Sequence, residues 1–99
     1  MTQNATENTP TLDPIAEIIL EMLAAAEPNV SISPQEVAQA VADARRRSND
    51  PPDLWRRYLP AVKQQALYLA RAGKLIVMRK GKPADAETAK GVIRYKRPI

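Results

Sequence analysis

The sequence predicts a mainly α, α+β fold of the winged helix-turn-helix type, with three helices and a small two- or three-stranded antiparallel wing. Three observations carry this prediction. Apolar residues recur at helical spacing in three segments, and the segments have recognisable start signals. Gly73 stops the third segment, and a β-forming run follows at once. Two strand-like stretches then bracket a basic turn with Gly81 at its tip and a polar excursion. Helix, short strand, helix, helix, strand, turn, strand is the element order of winged helices, in which the third helix is commonly the recognition helix.

Each element has its own justification. Residues 1–12 are polar, rich in Asn, Thr and Gln and without periodicity, so a disordered tail is expected ahead of a single domain over 13–99. Asp13 and Pro14 form an N-cap and a first-turn proline. Ile15, Ile18, Ile19, Met22 and Leu23 then mark an amphipathic helix that ends near Ala26. Val30-Ser31-Ile32 alternates like a short strand. Ser33-Pro34-Gln35-Glu36 is a capping box with proline at N1, opening a second helix whose stripe is Val37, Ala38 and Val41. That helix frays into Arg45-Arg46-Arg47, and Asn49-Asp50-Pro51-Pro52 breaks the chain.

Asp53 is placed to cap a short apolar turn through Tyr58, and Pro60 suits the first turn of a fresh helix over Pro60–Ala72. Val62, Ala66 and Leu69 form its buried stripe, with Ala70 at the margin. Lys74–Arg79 reads as a strand, Lys80-Gly81-Lys82-Pro83 as a turn, and Ala84–Lys90 as a polar excursion in which Asp85 and Glu87 cap or pair with local lysines. Gly91 opens a last strand, Val92–Lys96.

The net charge of +4 conceals a strong asymmetry. Up to Asp43 there is no Lys or Arg, while Glu7, Asp13, Glu17, Glu21, Glu27, Glu36 and Asp43 are all acidic. All 15 basic residues lie between Arg45 and Arg97, against only Asp50, Asp53, Asp85 and Glu87. Such a dipole suggests a polyanion on the basic side, although a solvated basic face balanced by an acidic helix has the same composition. There is no cysteine and no histidine, which removes disulfides, thiolate metal sites and the usual general base near neutral pH. No Gly-rich phosphate loop or paired catalytic carboxylates are present either, so an enzyme is not expected, nor a cofactor or metal. No apolar run reaches membrane-spanning length and the N-terminus lacks the features of a secretory signal, so no membrane is expected and a cytoplasmic location is the default.

The candidate contacts to double-stranded DNA fall in three groups. Lys63, Gln64, Tyr68 and Arg71 lie on the outer face of the third helix, where their donors can reach base edges or phosphates; an ordinary solvated face is the alternative. Leu67 beside them reads no hydrogen-bond code and can mark a protein contact. The wing supplies Arg79, Lys80 and Lys82 around Gly81, with Arg94, Lys96 and Arg97 on the returning strand, expected to form one basic patch; protection of a sheet edge is the alternative. Arg56 and Arg57, with Arg45-Arg46-Arg47, flank the loop before the third helix and would approach the backbone. Trp55, the only tryptophan, reads as a core anchor, with stacking on a base as the alternative.

The segments Ser33-Pro34-Gln35-Glu36-Val37-Ala38, Trp55-Arg56, Ala72-Gly73-Lys74-Leu75, Arg79-Lys80-Gly81-Lys82-Pro83 and Lys90-Gly91-Val92-Ile93-Arg94 together resemble a small bacterial family known only as a domain of unknown function. The resemblance extends from about Ile15 to Arg97 and implies a winged helix, without an activity or target. Gln39 and Val92 depart from the family pattern, which carries arginine and proline there. The function expected from the residues is DNA binding, as a small transcriptional regulator acting as a homodimer or with modest affinity. A winged helix used as a protein-interaction module, through the acidic first helix or Leu67 and Tyr68, is the alternative.

Overall fold

Three helix starts, each set by local chemistry, fix the framework of the chain, whose computed structural model describes residues 13–98. The tail expected over 1–12 lies outside the described residues. Helix α1 spans Pro14–Ala25, and the Asp13 carboxylate accepts from the Ile15 amide at 2.8 Å. Helix α2 spans Pro34–Arg45 behind a complete capping box. The Ser33 hydroxyl accepts from the Glu36 amide at 3.0 Å, and the Glu36 carboxylate accepts from the Ser33 amide at 2.9 Å.

A 3₁₀ helix, Leu54–Tyr58, runs directly into helix α3, Leu59–Arg71, with Pro60 in its first turn. Helix α3 closes with two bonds: the Lys74 amide to the Leu69 carbonyl at 2.8 Å, and the Gly73 amide to the Ala70 carbonyl at 3.0 Å. This closure needs a left-handed residue just past the helix, and Gly73 supplies it at φ 75°.

Strand β1 (Ile76–Arg79) is central in a three-stranded antiparallel sheet, flanked by β2 (Lys82–Pro83) and β3 (Arg94–Lys96). On its far side β3 meets the Val30–Ile32 stretch as a single bridge: Ile32 and Tyr95 exchange both backbone bonds, at 2.8 and 2.7 Å. The sheet therefore ties the end of the chain to the segment between α1 and α2. Val77 and Tyr95 are direct cross-strand partners and point into the core. There they meet Ile15, Ile19 and Leu23 of α1, Val37 and Val41 of α2, and Val62, Ala66 and Leu69 of α3. Tyr95 heads the largest fully buried side chains.

The architecture is the expected winged helix, and several details differ from expectation. Lys82-Pro83 is a strand rather than part of the turn, because Lys80 and Gly81 suffice as a two-residue connection. The last strand begins only at Arg94; Gly91, at φ 81°, bends the chain and leaves Val92 83% exposed. Asp53 makes no side-chain cap bond; its carboxylate lies 3.9 Å from Arg56 instead. Trp55 packs against the core but is only half-buried, and the fully buried residue of the 3₁₀ helix is Leu54. Glu87 pairs with Arg71, sixteen residues back on α3, rather than with a nearby lysine, while Asp85 accepts from the Glu87 amide at 2.8 Å.

Candidate nucleic-acid interface

The hairpin of β1 and β2 carries three basic residues on and beside its turn, Arg79, Lys80 and Lys82. Arg79 pairs with Lys82 across a two-residue turn, and both turn residues have positive φ, 54° at Lys80 and 79° at Gly81. That is the pattern of a type I′ turn, which matches the twist of the strands and favours Asn-Gly or Gly-Gly. Lysine at the first position is costly, because its Cβ crowds the backbone in the left-handed region. Among the described residues none of Arg79, Lys80 and Lys82 has a carboxylate within ion-pair distance.

The other basic residues of the wing are placed differently. Side chains alternate across a strand and direct partners share a face. Arg79 and Lys82 therefore lie on the Val77 side, towards the helices, while Arg94 (opposite Met78) and Lys96 (opposite Ile76) lie on the outer face. The expected single patch is thus divided by the sheet, with Lys80 at the tip. Arg94 is engaged within the protein. Its Nε donates to the Ser31 hydroxyl at 2.6 Å, and its Nη2 donates to the Ser31 carbonyl at 2.8 Å and lies 3.3 Å from the Glu36 carboxylate. This clamp joins β3 to the start of α2. Glu36 is held below the usual carboxylate range, first by the Ser33 amide, and Arg94 adds to the effect. Arg97 donates to the Ala26 carbonyl at 2.6 Å and fastens the end of the chain to the end of α1.

Helix α3 presents Lys63, Gln64 and Tyr68 outward, with Tyr68 49% exposed and Leu67 half-buried. The 84–93 segment folds alongside this face. Ala86, Ala89 and Ile93 line a groove of about 320 Å³ with Gln64, Leu67 and Tyr95. Arg71 of α3 makes a 3.0 Å bridge to Glu87 of this segment. Lys63 and Gln64, in the N-terminal half of α3, also line this groove yet remain exposed and without an ion pair among the described residues, whereas Arg71 in the C-terminal half is engaged by Glu87. Arg56 lies over the Trp55 ring, 5.2 Å from its centroid, whereas Arg57 is exposed with no ion pair among the described residues. Arg45 similarly covers Tyr58 at 5.5 Å, and Arg46 pairs with Asp43.

Two long-range partnerships, Arg94 with Ser31 and Glu36 and Arg71 with Glu87, had no local signal in the sequence. Their partners are separated by as many as 63 residues and meet only once the sheet closes. Among the described residues no group of three or more His, Cys, Asp or Glu side chains is placed to hold a metal ion, and no helix is long and apolar enough to cross a membrane. No curated protein matches the chain. A family model does match, over residues 12–98: by sequence and extent the chain belongs to DUF3253, a protein family of unknown function.

Proposed function

We propose that this protein binds double-stranded DNA, as a small transcriptional regulator, through the wing turn and the N-terminal half of α3. The observation that carries this reading is the cluster of Arg79, Lys80 and Lys82 on one tight turn, without a carboxylate partner among the described residues. Cations in such a place gain most from releasing the counterions of a polyanion. Lys80 strengthens the reading, because a residue in an unfavourable backbone region is better explained by its charge than by its fit to the turn. Lys63 and Gln64 on α3 supply a fourth cation and an amide able to pair with a base edge.

A second reading, a protein-interaction module, is favoured by the apolar groove between α3 and the 84–93 segment, since Leu67 and Ala86 there offer nothing to a base. Titration of a fluorescent generic duplex at low and moderate salt separates the two, with an R79E/K80E/K82E variant alongside. DNA binding predicts a saturable signal at low salt that weakens with salt and disappears in the variant. No binding at low salt, or binding indifferent to the charge reversal, removes the DNA reading and leaves the protein module.

A further inference from the structure

The outer face of the sheet holds a cleft of about 430 Å³, open to solvent and separate from the helix-side cations Arg79 and Lys82. Lys80, Arg94 and Lys96 all line it, together with Ser31. Lys80 and Lys96 have no ion pair among the described residues, and Arg94 shares only Glu36. The donors are also oriented. The Ser31 hydroxyl accepts from Arg94, so its own proton remains to be donated. Arg94 spends Nε and Nη2 on Ser31 and Glu36, which fixes the guanidinium plane and leaves Nη1 without a partner among the described residues. One nitrogen of a guanidinium held in a fixed plane, beside two flexible ammonium groups and a hydroxyl donor, is suited to a tetrahedral oxyanion. Met78 and Val92 form the apolar part of the lining, and Val92 is otherwise 83% exposed.

We propose that this cleft binds a phosphoryl group, with Ser31, Arg94, Lys80 and Lys96 holding its oxygens and Met78 and Val92 covering the organic part of a phosphomonoester. The group has two possible sources, a free small phosphomonoester or the phosphate of a nucleic acid. The inference does not rest on DNA binding by the wing. It has one consequence for that reading: Lys80 belongs to both surfaces, so a bound phosphomonoester lowers the affinity of the wing for a duplex.

The test is an amide-resolved NMR titration of the full chain at constant ionic strength, with inorganic phosphate, a 5′-mononucleotide and a short duplex in separate arms. Saturable shifts confined to residues 29–31, 78–81 and 92–96 are expected with phosphate in the millimolar range, and tighter binding with the mononucleotide. K96Q and S31A keep the helix-side cations and the Arg94–Glu36 contact. Each should weaken phosphate binding about tenfold, as expected for loss of one charge-assisted or oriented hydrogen bond. The melting temperature should be unchanged in K96Q, whereas S31A also loses the Arg94 Nε bond and its fold is checked by its amide spectrum. If the mononucleotide saturates the cleft, the source is a free phosphomonoester; if only the duplex does, the source is a nucleic acid. Shifts that never saturate, that spread equally to Arg57, Lys63 and Lys74, or that persist unchanged in both variants overturn the inference. Phosphate binding at the cleft without any duplex binding leaves it standing and removes the DNA reading alone.

Discussion

Replacing Tyr95 with phenylalanine should stabilise the protein, although Tyr95 is at the centre of its core. The ring is 1% exposed, and its hydroxyl is buried without a hydrogen-bond partner among the described residues. A buried hydroxyl left unpaired costs about 1–3 kcal/mol relative to water, while removing one oxygen leaves the ring and its packing in place. Tyr95→Phe is therefore expected to gain about 1 kcal/mol at neutral pH, which in a domain of this size raises the melting temperature by about 4–8 °C. A second signature comes from alkali. Burial pushes the phenol up from 10.0 to about 12, so the folded state keeps a proton that the unfolded state releases. The corresponding stability is fully present below pH 10 and is lost as pH rises through 12. Two pH units are worth about 2–3 kcal/mol of folding free energy. Urea denaturation of both proteins from pH 7 to 12 reads both effects, with the alkaline loss larger in the wild type by that amount. A phenylalanine variant less stable at neutral pH, or equal alkaline losses in the two proteins, refutes the reasoning, because either result means that the hydroxyl has a partner or reaches water.

Other perturbations test separate parts of the structure. Lys80→Asn puts a residue that tolerates positive φ at the first turn position and should raise stability by about 0.5–1 kcal/mol in chemical denaturation, while weakening any duplex binding. Glu36 titrates below its ordinary 4.5 in the folded state. Its contribution is therefore present above pH 4.5 and is lost as pH falls through the lower folded value; Glu36→Gln keeps an acceptor for the cap and should flatten that acid limb in a pH–stability profile. Arg71→Ala removes an exposed bridge and should cost less than about 1 kcal/mol globally, yet speed amide exchange in 84–93, which the bridge holds against α3.

The framework was legible because local chemistry sets it. Asp13, the Ser33–Glu36 box, Pro60 and Gly73 each act within a few residues of themselves, and the apolar stripes of α1, α2 and α3 follow from spacing. The register of the sheet was less legible. Whether Lys82-Pro83 is turn or strand depends on Lys80 accepting positive φ, which lysine rarely does, so the residues alone pointed to a longer turn. The candidate interface was legible only as a set of charges. Which of them remain available depends on partners far away in sequence: Ser31 and Glu36 engage Arg94, Glu87 engages Arg71, and the alternation of β1 separates Arg79 from Arg94. Trp55 packs against the core as its size suggests, but only half-buried, and its neighbour Leu54 is the fully buried residue of the 3₁₀ helix.

The most direct test of DNA binding by the wing is the salt dependence of duplex affinity. Four contacts, from Lys63, Arg79, Lys80 and Lys82, predict a log–log slope of about −3.6, or roughly a 150-fold loss of affinity between 50 and 200 mM salt. Removing two of them in R79Q/K82Q should halve the slope to about −1.8, while K96Q, on the opposite face of the sheet, should leave it unchanged. A slope near zero in the wild-type protein, or one that R79Q/K82Q does not alter, contradicts the account.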